Sequence, residues 1–216
     1  MSQTSAQRLS PQVHVDLLSK KGESHDVRLQ QRHQTETEHA GSLLVALPSL
    51  VDPNFRRTIL FLTHHDREGA MGFILNRPRN ERLGQLANAP EEVADVPVFS
   101  GGPVEPKNLI LTHLLWKKSG VRFQSLGEED LPLLDPKKNP TEDQKLRAFT
   151  GYAGWTGGQL EQEIAEKSWH LLKPSPAILQ PVHTLEDGIQ LWKGIMKDLG
   201  SMYYLLAQAP DDLSRN

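Results

Sequence analysis

From Gly41 onward, short apolar runs alternate with polar stretches that carry glycine and proline. Ser42-Leu43-Leu44-Val45-Ala46-Leu47, closed by Pro48, has the length and composition of a buried strand. Thr58-Ile59-Leu60-Phe61-Leu62-Thr63 and Ala70-Met71-Gly72-Phe73-Ile74-Leu75 repeat that texture, and the polar His64-His65-Asp66-Arg67-Glu68-Gly69 between them predicts a hairpin. Both strands carry apolar side chains on both faces, so the hairpin should be covered on each side. Asn76-Arg77-Pro78 should end its second strand, because Pro78 has no N–H to give. Leu83 and Leu86 suggest a short helix that stops near Asn88-Ala89, ahead of Pro90.

Val96 to Phe99, Leu109 to His113, Val121 to Leu126 and Arg147 to Ala153 read as further strands, punctuated by Ser100-Gly101-Gly102-Pro103 and Lys118-Ser119-Gly120. Residues 127–145, acidic and proline-rich, predict a surface excursion with at most a short helix. Thr156-Gly157-Gly158-Gln159 fits a capping box ahead of Leu160 and Ile164. A last helix should open near Thr184 and stop at Gly200, with Leu185, Ile189, Trp192, Ile195, Met196 and Leu199 as its apolar stripe. Strands and helices do not alternate regularly and no period repeats. The expected fold is therefore α+β in a single domain rather than a doubly wound sheet.

Residues 1–38 differ from the rest: six Gln, five basic and five acidic residues surround one short apolar patch at Val13, Val15, Leu17 and Leu18. Such a segment buries too little to offset its ordering entropy, so a disordered arm is expected, although Val13 to Leu18 could add as an edge strand or small amphipathic segment. The domain then spans 39–208 and a short tail spans 209–216.

Over 216 residues, 37% are apolar and 16 are Gly, enough for one sizeable core. Lys and Arg total 24 against 27 Asp and Glu, a net charge of −3, which argues against a protein built to bind phosphate backbones. The absence of Cys excludes disulfides, thiolate catalysis and cysteine-ligated metals. Met1 to Ser10 has no apolar leader, and the uncharged stretch 40–51 is broken by Pro48. A cytoplasmic protein without a membrane segment is expected.

No catalytic set emerges. There is no Gly-x-Ser-x-Gly elbow, Gly101-Gly102-Pro103 lacks a following Gly-Lys-Ser/Thr, and Gly151, Gly154 and Gly157 do not have dinucleotide spacing. His64-His65-Asp66 is the one clustered metal-type set, but neighbours on a strand point to opposite faces, so no metal is expected. Glu161 and Glu163 lie two apart on a helix and read as a solvated face. Two features stand higher. Gly154-Trp155-Thr156-Gly157-Gly158-Gln159 places an aromatic ring beside a helix start, where an anion or a partner's carboxylate could sit. Arg56-Arg57 before one hairpin strand and Arg77, Arg79 and Arg82 after the other should converge at one end of the pair as a positive patch.

Leu47 to Thr58 (Leu-Pro-Ser-Leu-Val-Asp-Pro-Asn-Phe-Arg-Arg-Thr), Gly69-Ala70-Met71-Gly72 with Asn76-Arg77-Pro78, Gly101-Gly102-Pro103-Val104, and Gly151-Tyr152-Ala153-Gly154-Trp155 leading into Gly158-Gln159-Leu160-Glu161 together resemble the AlgH/YqgE family. The resemblance spans residues 40–206. It implies one α+β domain with a mixed, largely antiparallel, barrel-like sheet flanked by helices. The family carries a transcriptional-regulator label from a role in alginate production, and it brings no established activity, cofactor or catalytic residue. The chain shows no helix-turn-helix signature with a basic recognition helix, which argues against direct reading of nucleic acid.

The leading expectation is a non-enzymatic regulatory or binding protein that recognises a small anionic ligand or an acidic protein partner. Its candidate ligand residues are Arg56, Arg57, Asn76, Arg77, Gly102, Tyr152, Trp155, Gln159 and Glu161, with no cofactor. The alternatives are an enzyme acting on a nucleotide or phosphorylated small molecule through Tyr152, Gln159 or Glu161, and a regulator that contacts nucleic acid.

Overall fold

The computed structural model describes residues 39–117, 120–127 and 144–209. The arm expected over 1–38, most of the excursion expected over 127–145 and most of the tail lie outside the described residues. The chain runs β1 (Leu43–Ala46), β2 (Ile59–Asp66), β3 (Gly69–Ile74), β4 (Pro78–Arg82), α1 (Leu83–Leu86), α2 (Glu91–Ala94), β5 (Pro97–Ser100), β6 (Val104–Lys117), β7 (Gly120–Ser125) and β8 (Gln144–Thr156). It continues through α3 (Gln159–Ala165), β9 (Trp169–Leu172), a 3₁₀ turn (Pro176–Leu179), α4 (Leu185–Leu199) and α5 (Ser201–Ala207).

The strands form one mixed sheet, curled into a half-barrel, in the order β4-β5-β8-β3-β2-β1-β9, with β6 and β7 continuing from β8. All pairs are antiparallel except β5 with β8. The length of β8 makes this possible. Its first half lies between β5 and β6, through Val98 opposite Ala148 and Leu111 opposite Ala148, and its second half pairs with β3 through Ala70 opposite Trp155.

Apolar runs without alternation are explained by burial on both faces of the sheet. On one face Val45, Ile59, Phe61, Phe73, Phe99 and Phe149 pack under Trp192 and Met196 of α4. On the other, Leu44, Leu60, Leu62, Ile74, Trp155 and Trp169 pack under Leu160 of α3. A third cluster joins Leu83 and Val93 of α1 and α2 to Val98 and Ala148. The hairpin β2–β3 is thus covered on each side, as its composition predicts.

Several elements differ from expectation. β3 ends at Ile74, just ahead of Asn76-Arg77-Pro78 as expected, but Pro78 then opens a further strand, β4, a position where the missing donor costs nothing. β9, the 3₁₀ turn, α2 and α5 are additional, and β6 and β8 run well beyond their apolar cores. The N-cap of α3 is Gly158 at φ 79°, with no side-chain cap, so the Thr156 capping box does not form. Instead Gln159 Oε1 accepts from the Thr156 N–H at 3.1 Å. The capping box that does form belongs to α4: Thr184 Oγ1 accepts from the Asp187 N–H at 3.0 Å and Asp187 accepts from the Thr184 N–H at 2.9 Å. Leu185, assigned to the α4 stripe, is instead 61% exposed in the first turn of the helix. α4 is fixed to β1 by the Trp192 indole N–H, which donates to the Ala46 carbonyl at 2.7 Å.

Candidate functional site

The loop from Asp52 to Thr58 carries the first group of candidate residues. It is knitted by the Asn54 N–H to Asp52 Oδ1 (2.8 Å), the Arg56 N–H to the Asp52 carbonyl (2.7 Å) and Thr58 Oγ1 to the Phe55 carbonyl (2.6 Å). Arg77, half-buried, reaches in from the β3–β4 connection and donates to the carbonyls of Asn54 (2.6 Å), Pro53 (3.2 Å) and Arg56 (3.0 Å). Burial first, and then the Arg56 charge, hold the Arg77 guanidinium below its usual value, with Asp52 acting the other way.

Arg57, at φ 57°, lies over the Trp192 ring at 5.8 Å and donates to the Ala209 carbonyl at 2.7 Å, just beyond α5. Arg56 is exposed. Its neighbour Phe55 turns inward, with its ring 6.2 Å from that of Trp155 and 5.6 Å from that of Trp169. One loop therefore links the arginines to the Trp155 region.

Asn76 is buried and wholly occupied. Its Oδ1 accepts from the Ile59 N–H, and its Nδ2 donates to the carbonyls of Arg57 and Gly188, all at 2.9 Å. Arg79 turns away from the loop to Glu81 (2.7 Å) and Thr150 (3.4 Å), so the five arginines do not form one patch. Gly102 abuts the Tyr152 backbone, leaving no space for a Cβ. The Tyr152 side chain packs on the α4 face of the sheet, opposite from Trp155, so these two do not share a site.

Below α3 the helix carboxylates, read from sequence as solvated, have specific partners. Glu163 Oε2 accepts the indole N–H of Trp155 at 2.9 Å and that of Trp169 at 2.7 Å, and its Oε1 accepts from Gln159 at 3.0 Å. Buried indoles need an acceptor, and one carboxylate serves both. Glu161 Oε1 accepts from His65 Nε2 at 2.8 Å. The Glu161 backbone N–H is the main reason its carboxyl is held below the usual value, and the His65 hydrogen bond adds to it.

His65 reaches this face because of a bulge. Leu62 pairs with Gly72 and His64 with Met71, so Thr63 is an extra residue on β2. Strict alternation from Leu60 and Leu62 would aim His64 at α3. The bulge aims His65 there and leaves His64 exposed beside Asp66, at 2.9 Å. Among the described residues, no group of three or more His, Cys, Asp or Glu could hold a metal ion.

Comparison with known proteins places this geometry. The AlgH-like family profile, DUF179, matches residues 43–204. The chain belongs to the AlgH-like family. A UPF0301 protein of Streptomyces avermitilis is 33% identical over 186 residues, covering 82% of this chain and 94% of that protein. A second, from Streptomyces coelicolor, is 34% identical over 188 residues, with the same coverage. The solution structure of the AlgH protein from Pseudomonas aeruginosa superposes with a TM-score of 0.56 at 26% identity, over 82% of this chain and 98% of that one. The crystal structure of a Corynebacterium diphtheriae protein gives 0.60 at 21% identity, over 84% and 98%, a likeness of fold alone. The AlgH-like assignment carries the expected α+β half-barrel with it. No described helix is long and apolar enough to cross a membrane.

Proposed function

We propose that this AlgH-like protein is a non-enzymatic binding or regulatory protein that takes an anionic ligand or an acidic protein segment at the 52–57 loop. The observation that supports this reading is the placement of Arg56 beside Arg77: Arg77 is held by three loop carbonyls, and, after burial, the Arg56 charge works against its protonation, with Asp52 offsetting part of that effect. A bound anion relieves that repulsion, so the free protein favours an acidic partner.

Glu161 and Gln159 are engaged with His65 and with Thr156 and Glu163, which favours binding over catalysis through those groups. α5, the helix that follows α4 after Gly200, carries no charged residue, which weighs against its use on DNA.

The test is a binding titration of the full chain with inorganic phosphate, ATP, a glutamate-rich peptide and duplex DNA, for wild type and Arg56→Glu. At about 100 times its dissociation constant a ligand adds roughly 2.7 kcal/mol of stability, which a melting curve reads directly. Binding of phosphate, ATP or the peptide that is lost in Arg56→Glu, with the fold intact, is the expected result. Binding that survives the substitution, or no binding to any of these, rejects the reading. A response to DNA alone, falling steeply with salt, favours the nucleic-acid alternative.

A further inference from the structure

His39 and His65 lie face to face, ring centres 5.2 Å apart and planes 9° from parallel. His65 is buried, its Nε2 is bonded to Glu161, and its Nδ1 is the one buried side-chain polar atom among the described residues with no hydrogen-bond partner. An ionised carboxylate only accepts, so this bond requires hydrogen on Nε2 and leaves Nδ1 of the neutral ring as a bare lone pair. The stacked ring, His39, belongs to the turn before β1. That turn is held by the Gly41 N–H to the Leu62 carbonyl (2.8 Å) and the Ser42 N–H to the His39 carbonyl (3.1 Å).

The surroundings of His65 define what a second proton would meet. The preceding turn contributes His39 and α3 contributes Glu161, whose side chain is 46% exposed. From β3 the opposed residue is Ala70, and beyond it on β8 lies Trp155, neither charged. On β2 itself, His64 and Asp66 point to the other face and pair with each other. Of the remaining α3 carboxylate, Glu163, both oxygens are taken by Trp155, Trp169 and Gln159.

We propose that His39, His65 and Glu161 form a proton-operated latch, which holds the turn at 39–42 on the domain near neutral pH and releases it on acidification. A proton on Nδ1 creates a buried N–H with no acceptor and sets a positive ring against His39, a second group of the kind that gains charge between about pH 5 and 8. Glu161 bonds Nε2 of His65 and also acts on His39 by charge, and solvent screens that charge. Opening the turn gives both rings water.

The test is hydrogen exchange by NMR on the full chain from pH 7.5 to 5.5, with each rate corrected for its intrinsic pH dependence. The Gly41 and Ser42 amides should lose protection by about tenfold or more while the Leu60 amide, deep in β2, keeps its own. His39→Phe keeps a stacked ring that cannot titrate and should reduce the loss to the part that comes from the unpaired His65 N–H. Glu161→Gln removes the negative charge bonded to His65 and should move release to higher pH. Unchanged protection, or an equal loss in His39→Phe, overturns the latch. Imidazole nitrogen shifts of the wild type give an independent reading: at pH 7.5 His65 should carry its hydrogen on Nε2, and hydrogen on Nδ1 would equally overturn it.

Discussion

The side-chain amide of Asn76 donates to the carbonyl oxygen of Gly188, and Gly188 has no Cβ because the Asn76 carbonyl oxygen occupies the place where one would go. Each residue thus requires the other, and together they bring the first turn of α4 onto the connection between β3 and β4. Asn76 also satisfies the buried N–H of Ile59 and the Arg57 carbonyl. Asn76→Ala should lower unfolding free energy by roughly 2–5 kcal/mol, since buried groups left unpaired cost about 1–3 kcal/mol each. Gly188→Ala should be comparably damaging through displacement of α4. Urea unfolding measures both, and a loss under about 1 kcal/mol in either would mean that the connection yields at little cost.

Glu163 offers a second quantitative test. Removing its carboxylate leaves the indole N–H groups of Trp155 and Trp169 without an acceptor beneath α3. Glu163→Ala should cost about 2–4 kcal/mol, while Glu163→Gln, which keeps one acceptor oxygen, should cost less. The two tryptophans report the change through their own fluorescence, and equal losses in the two variants would show that the carboxylate acts by charge or packing instead.

Legibility in the sequence follows the length of the apolar signal. β2 and β3 were readable because both carry apolar runs closed by a polar tip, and α4 because its stripe recurs over several turns between Thr184 and Gly200. β4, Pro-Arg-Asn-Glu-Arg, has no such run, and only Pro78 of it is buried. It exists through pairing with β5. β9 is four residues, too short for any period to show. The site was legible as residue types and not as contacts. Glu161 and His65 are 96 positions apart, and the single extra residue at Thr63 decides which of two adjacent histidines faces α3. Alternation alone selects His64.

Glu81 provides a pH-dependent test at the surface. The hydrogen bond from Arg79 is the largest cause holding its carboxyl down to about 2. A depressed acid contributes stability above its unfolded value, about 4.3, and loses that contribution as pH falls through the folded one. The side-chain carbonyl carbon of Glu81 should therefore titrate near 2, and Arg79→Gln should return it toward the ordinary range. A midpoint that stays put in the variant would assign the shift to the backbone instead.

Arg147 is a charged residue that the fold buries. It is 3% exposed, lies 4.9 Å over the Phe99 ring, and donates to the carbonyls of Leu75, Ile178 and Gln180 at 3.3–3.4 Å, with no carboxylate against it among the described residues. Burial pushes its guanidinium down to about 10, so it remains charged at neutral pH. Three long bonds and one ring offset only part of the cost of burying a charge, whereas the aliphatic stem fills space that any chain of similar length can fill. Arg147→Met should therefore lie within about 1.5 kcal/mol of wild type in urea unfolding at pH 7, and Arg147→Ala should lose about 3 kcal/mol or more to the cavity. A loss of about 3 kcal/mol in Arg147→Met would show instead that the carbonyl bonds outweigh desolvation. The guanidinium would then be what holds the 3₁₀ turn to the end of β3.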